Sequence, residues 1–335
     1  MNTRSGISKY SYDFFELVLK EKGYIFLNSE EGMTTILTRV SSRDHVHIEI
    51  GIFQEKELEI LMAMLNANYK NIAVTLHDPP LFKYPFVVFQ NPLLNKISKF
   101  YDVYLNRFRQ SKKYIEKIKY LYVLTHRGVK EIKSTYKTDN VYYLPHVIDE
   151  REIKVQQPAN NNFVYFGFIG KNKGIEYALK LHQQLLQFFP EINFYIMGEA
   201  IGKNIEYYNY LKSTYTKNIH YLGYVSEEVL DDVFNMAGFS IVPFISYKFY
   251  TPFSGSLLTV MKYGKIPFTN NVNAVSELIE DAGNGFFLSG KIEEDVRMVS
   301  GVINSKALAN EVSQHIYTYL AANHTAQNIN KYLLN

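Results

Sequence analysis

The sequence predicts an α/β protein made of two doubly wound domains facing a cleft, and three observations predict it. At 335 residues the chain exceeds what one ordinary core fills and suits two domains of about 150 residues each. Short apolar, β-branched or aromatic runs alternate with longer amphipathic ones, the rhythm of βα units around parallel sheets. A polar stretch without period, DEREIKVQQPANNN at 149–162, follows Pro145 and divides two such series. The expected domains are 1–152, 153–312 and a helical tail, 313–335, packing back on the first domain.

In the first series the expected strands are YIFLN (24–28), HVHIEIG (45–51), NIAVTLH (71–77), YLYVLT (120–125) and NVYYLP (140–145). Helical patterns run from Tyr10 to Lys22, from Glu55 to Ala67 and from Pro92 to Ile118. The second series is more regular: FVYFGFI, a helix to Phe189, INFYIMG, a helix to Tyr215, NIHYLGY, a helix to Met236, FSIVPF, the helix after Ser254, IPFTN, AVSELIEDAG and GFFLS. That makes six strands with five intervening helices. From Glu293 the chain reads as helical to its end. Two such domains in tandem are expected to place a cleft between the carboxyl ends of their strands, where ligands of open α/β sheets bind.

With no cysteine the chain has no disulfide, no thiolate metal site and no cysteine nucleophile, which fits a reducing compartment. No run approaches the roughly 20 apolar residues of a spanning helix, and Met1 to Ser11 is polar, so a cytoplasmic protein is expected. The net charge of +3 is small but uneven: Lys96 to Lys119 holds eight Lys or Arg against Asp102 and Glu116. Ile97, Phe100, Tyr101, Tyr104, Phe108, Tyr114 and Ile115 interleave with those charges. This composition suits either a helix on an anionic membrane face or a solvated helix covering the first core. Nucleic acid is not expected as a partner, because the basic charge is local.

Two strand-to-helix turns carry candidate chemistry. Ser254, Gly255 and Ser256 run into the apolar pattern Leu257, Leu258, Val260 and Met261, which Gly264 ends. A helix's first turn leaves N–H groups unpaired and positively polarised, so a phosphate is stabilised there, and Gly255 lets it approach. Equally, Ser254 is a good N-cap in its own right. The second turn is FGFIGKNKGIEYAL, 166–179, whose glycines Gly167, Gly170 and Gly174 miss the spacing of a dinucleotide fingerprint. It presents Lys171 and Lys173 at the end of a strand, as anion ligands or as solvated loop lysines.

Together these turns resemble the nucleotide-sugar site of the GT-B glycosyltransferases, with two Rossmann-like domains, and in particular the retaining, family 4-like enzymes. The resemblance covers nearly the whole chain and is strongest from 163 to 290. Gly167, Lys173 and Gly174 fit the family's opening of the second domain, although Phe168 stands at its first basic position, so that Lys171 would supply that charge. IMGEA at Gly198 and Glu199, HYLGYVSEEVLDDVFNMAG with Tyr224, SIVPF, KYGKIPF and SELIEDAGNGFFL follow in order. Family members usually carry two glutamates with seven residues between them across the opening segment. Here those positions are Thr251 and Thr259, beside Tyr250, while Ser-Gly-Ser keeps the diphosphate end.

In the first half, NTRSGISKYSYDFFELVLKEKGY resembles the family's glycine-bearing loop and first helix. This places Gly6 at the donor phosphate and Arg4 and Ser8 on the acceptor side. The family's leading strand would fall before Met1, so either the chain starts further upstream or this sheet lacks one strand. VTLHDPP puts His77 where many relatives keep a histidine beside the reacting sugar, with Asp78 orienting it or starting the turn at Pro79. His45, His47 and Glu49 alternate along one strand face, a pattern read as buried hydrogen bonding rather than metal. The resemblance implies transfer of a sugar from a nucleoside diphosphate sugar, with no further cofactor and no metal, to a glycan or glycolipid hydroxyl in surface polysaccharide synthesis. His77 and Lys173 would be catalytic. A sugar-nucleotide epimerase of the same architecture, or a non-catalytic glycan-binding subunit, would show the same landmarks.

Overall fold

The computed structural model describes residues 6–83, 91–101, 108–154, 158, 160–246 and 250–334. Two compact units emerge. The first comprises Met1–Asp149, Lys248–Phe253 and His324–Asn335, the second Glu150–Tyr247 and Ser254–Asn323.

The first unit carries a parallel sheet in the order β1 (Val46–Ile50), β2 (Ile72–Leu76), β3 (Tyr120–Val123), β4 (Tyr142–Tyr143). Its helices are α1 (Gly6–Phe14), extended by wider and tighter turns to Lys22, α2 (Met33–Arg39), α3 (Glu55–Asn66), α4 (Pro92–Tyr101), α5 (Phe108–Ile115) and α6 (His126–Tyr136). Alternation along the strands builds two cores. Ile48, Ile50, Ile72, Val74, Leu121 and Val123 pack with Leu61, Met64, Ile115 and Ile132 on one face. The intervening Tyr122, followed by Leu124, packs with Tyr10, Phe14, Val18, Leu144 and Ile329 on the other.

The second unit has six parallel strands: β5 (Phe163–Phe166), β6 (Phe194–Met197), β7 (Ile219–Gly223), β8 (Phe239–Val242), β9 (Ile266–Thr269) and β10 (Phe286–Phe287). Their order is β10-β9-β8-β5-β6-β7, the doubly wound arrangement in which the first and fourth strands are neighbours. Register puts Phe163 opposite Phe194 and Phe239, and Phe268 lies 6.0 Å from Phe239. These four rings from four strands are fully buried, each contributing about 2 to 3 kcal/mol. Helices α7 (Ile175–Leu185), α8 (Asn204–Thr214), α9 (Glu227–Asn235), α10 (Gly255–Lys262), α11 (Ile292–Asn304) and α12 (Lys306–Asn323) complete it, and α13 (Ala326–Ile329) returns to the first unit.

Two expected elements differ. Tyr24–Asn28 joins no sheet: Ile25 is 68% exposed, and Asn28 is spent capping the turn Ser29–Glu31, accepting from Glu30 N while its own N–H donates to Glu31. AVSELIEDAG forms one turn, Val275–Glu277, and not a helix. Left-handed Asn273 and Ala282 bound it, and buried Asn284 accepts from Glu280 N and donates to Leu278 O, taking over backbone groups a helix would use. The helical pattern of 92–118 resolves into α4 and α5, and 102–107 lies outside the described residues.

Candidate functional site

Strand β5 leads on one side to β6 and strand β8 on the other side to β9, so the switch of direction in the second unit falls between β5 and β8. Ligands of such sheets bind outside the carboxyl ends of the strands at that point. The two turns singled out by sequence are the ones that follow β5 and β8. They abut: a Cβ built on Gly167 would stand 3.2 Å from the Ser256 Cβ.

Backbone bonds fix the first corner. Gly167 N donates to Met197 O at 3.0 Å and Ile169 N to Glu199 O at 3.0 Å, tying it to the loop after β6. Gly198 is required there, since any Cβ would lie 1.9 Å from Gly167 O. Gly174, at φ +67°, starts α7 against the end of β8, where a Cβ would be 1.7 Å from Pro243 O. At the second corner Ser254 Oγ accepts from Leu257 N at 3.2 Å, so the capping reading holds. That cap satisfies one first-turn donor; among the described residues the amides of Gly255 and Ser256 have no partner. One turn therefore holds both the cap and two first-turn N–H groups that the cap does not use.

The two lysines diverge. Lys173 Nζ lies 5.7 Å from the Phe244 ring, on the side of β8, while Lys171 Nζ lies 5.9 Å from the Tyr207 ring of α8. Lys171 shares a small hollow with Glu176, Lys203, Glu206, Tyr207 and Tyr210, and Glu176 is itself paired with Lys180 at 3.0 Å. Tyr224 is exposed just past β7. Thr259 Oγ1 donates back to Gly255 O at 2.9 Å within α10.

Thr251, expected at the donor, is instead 3% exposed within the first unit. Its N–H donates to Pro79 O at 2.7 Å, and its hydroxyl donates to Glu131 Oε1 at 2.7 Å. Both groups are committed to structure. Tyr250 sits beside it, half-buried.

In the first unit His77 follows β2 and is 7% exposed. The β1–β2 register sets Glu49 opposite Thr75, two residues before His77, and His77 Nε2 donates to Glu49 Oε2 at 2.8 Å. His47 Nε2 is 2.7 Å from Thr75 Oγ1 and 3.2 Å from Glu49 Oε1. Burial pushes the Glu49 pKa up, but hydrogen bonds from His47 and His77 and their positive charge outweigh it, bringing it to about 2. Tyr10 stands edge-on to His77 with ring centroids 5.0 Å apart, and burial, then Glu49, pushes its hydroxyl well above the usual value.

Glu49 therefore orients His77. Asp78 does not: its Oδ2 accepts from Ile52 N at 3.1 Å and holds the loop after β1. The HVHIE alternation already put His47 and Glu49 on one face, but only strand pairing delivers His77 to it. His45 is exposed, outside the cluster. Gly6 is exposed at the start of α1, where an added Cβ would meet nothing, and Arg4 lies outside the described residues. Ser8 lines a cavity of about 930 Å³ in the first unit together with His47, Glu49, Tyr24 and Tyr122. Among the described residues no group of three His, Asp or Glu side chains is arranged to hold a metal ion, and no helix is long and apolar enough to cross a membrane.

Comparison with known proteins gives this geometry its family. The fold matches TarM with a TM-score of 0.67 at 13% identity, over 89% of this chain and 56% of that one. It matches Anabaena HepE in complex with UDP and glucose (0.67, 13%, covering 89% and 79%) and sucrose-phosphate synthase from Thermosynechococcus elongatus (0.67, 12%, covering 88% and 73%). The chain thus spans little more than half the length of TarM. No curated protein sequence is significantly similar to it. The family model for glycosyl transferases group 1 matches residues 148–318, just over half of the chain and nearly all of the second unit. With that match over more than half of its length, this chain belongs to the group 1 glycosyl transferases, and its two Rossmann-like domains give it the GT-B fold.

Proposed function

We propose that this enzyme is a retaining, family 4-like transferase. It moves a sugar from a nucleoside diphosphate donor to a hydroxyl of a saccharide or lipid-linked glycan in cell-surface polysaccharide synthesis. One observation carries the reading. The unpartnered amides of Gly255 and Ser256 open a helix beside Gly167 at the switch point, with Lys173 in the turn that follows β5. That chemistry suits a diphosphate, and HepE, one of the structural neighbours, was crystallised with UDP and glucose.

In the reaction the bond from the anomeric carbon to the diphosphate oxygen breaks and a bond to the acceptor oxygen forms. Lys173 and the two amides meet the negative charge that develops on the leaving diphosphate. Fixed donors of this kind contribute about 3 to 4 kcal/mol each where they act on a transition state. Threonines occupy both family glutamate positions, so the acceptor attacks on the leaving-group face and its proton passes to a phosphate oxygen. Gly198, Glu199, Tyr224 and Thr259 surround the nucleotide and sugar. His77, held by Glu49, serves the reacting sugar. Lys171, turned towards the Tyr207 ring of α8, contributes less than Lys173.

The test is thermal stabilisation by UDP, GDP, ADP, CMP and their sugars. A ligand at about 100 times its dissociation constant adds roughly 2.7 kcal/mol. One nucleoside diphosphate should raise the midpoint, Lys173→Ala should abolish the rise, and Lys130→Ala, an exposed change on α6, should keep it. No rise with any nucleotide, or equal loss in both variants, would refute the assignment. Conversion of the donor without acceptor would point to an epimerase instead.

A further inference from the structure

Helix α4 wears its apolar stripe on the outside. Leu93, Leu94, Ile97, Phe100 and Tyr101 recur at helical spacing, and each is between 50% and 66% exposed. An amphipathic helix of a globular unit normally turns that stripe to the core. Helix α5 does so, with Ile115 fully buried and Lys112 and Lys113 in solvent. In α4 the cost of five exposed apolar side chains in ten residues marks a surface built to be covered.

Charge says what covers it. The ten residues of α4 include Lys96 and Lys99 and no acidic residue, and from 96 to 119 basic residues outnumber acidic ones eight to two. A second copy of this chain would bring together two helices that carry basic charge and no acidic residue, which is unfavourable. Nucleic acid would match the charge but not three aliphatic side chains, since single strands are held by stacking on aromatic planes. An anionic bilayer satisfies both requirements: its headgroups pair with exposed Lys96, and its interface accepts Leu, Ile, Phe and Tyr.

We propose that α4 is a membrane-docking helix, laying Leu93, Leu94, Ile97, Phe100 and Tyr101 into the interface of an anionic lipid leaflet with Lys96 at the headgroups. The experiment is sedimentation of the full chain with vesicles of phosphatidylcholine alone or with about 30% phosphatidylglycerol. Binding should be at least about tenfold stronger to the anionic vesicles and should weaken as salt rises from about 0.05 to about 0.5 M. Leu94→Glu with Ile97→Glu should remove at least about tenfold of that affinity, and Lys96→Glu should lower it by a smaller factor. These exposed changes should leave the thermal midpoint and any nucleotide-dependent shift unaltered, so failure here is separable from failure of the donor site. Absence of binding to anionic vesicles, equal binding by the double variant, or a dimer that the double variant dissolves without any vesicle binding would each overturn the proposal.

Discussion

Gly174 shows how little room the turn between β5 and α7 leaves. It takes a left-handed conformation and its hydrogen side faces Pro243 O, so Gly174→Ala must move the start of α7 or the end of β8. The expected loss is about 2 to 4 kcal/mol, read as a fall in denaturation midpoint, with loss of nucleotide stabilisation. Gly255, by contrast, has open space around its Cβ position. Its alanine variant should keep stability and report on ligand approach alone. Glu49 makes a different residue-scale claim. Its folded pKa of about 2 lies below the usual carboxylate value, so its contribution is fully present above about pH 4.5 and is lost as pH falls from there through about 2. The shift corresponds to about 3 kcal/mol. Glu49→Gln should lose that acid-side dependence in urea titrations between about pH 5 and about pH 3, and an unchanged slope would show that the histidines do not hold the carboxylate.

Among the elements, α10 joins both halves of the reading, because its first turn is capped and open at once. Ser254→Ala removes the hydroxyl that accepts from Leu257 N, and should cost about 1 kcal/mol of stability while leaving the Gly255 and Ser256 amides in place. A variant that lost nucleotide binding outright at that small cost would show that the serine touches the ligand directly. The elements the sequence misplaced share one cause. Tyr24–Asn28 has strand composition, and AVSELIEDAG has helical periodicity, but local side chains claim backbone groups in both: Glu31 accepts from Asn28 N, and Asn284 accepts from Glu280 N and donates to Leu278 O. Local side-chain competition of this kind leaves no periodic trace. For α4 the sequence left two orientations open, and periodicity alone could not choose, since a stripe looks the same whether it faces core or solvent.

At the scale of the molecule, the units share a response to acid. His146 and His324 in the first and His182 in the second are buried, and burial above all lowers their pKa values to about 3, about 4 and about 4. Unfolded, each would titrate near 6.5, so between about pH 6.5 and pH 4 the unfolded chain binds protons the folded chain refuses. Stability should therefore be complete above about pH 6.5 and decline on acidification, by up to about 1.4 kcal/mol per pH unit for each histidine. The thermal midpoint should drop between about pH 7 and about pH 5. A flat profile would mean that these imidazoles are not held neutral in the fold.

The order of glycine, lysine and serine landmarks determined the fold class, the two corners and the family, because turn chemistry and strand rhythm are local properties written residue by residue. Six strands of the second unit fall where that rhythm put them. Tertiary structure decided which of the candidates meet. Strand order brought Gly167 to Ser256, register brought Glu49 rather than Asp78 to His77, and packing turned Lys171 towards Tyr207 and Thr251 towards Glu131. Contacts between residues distant in the chain depend on which strands pair and which faces are buried, and neither is encoded in the spacing of any single motif.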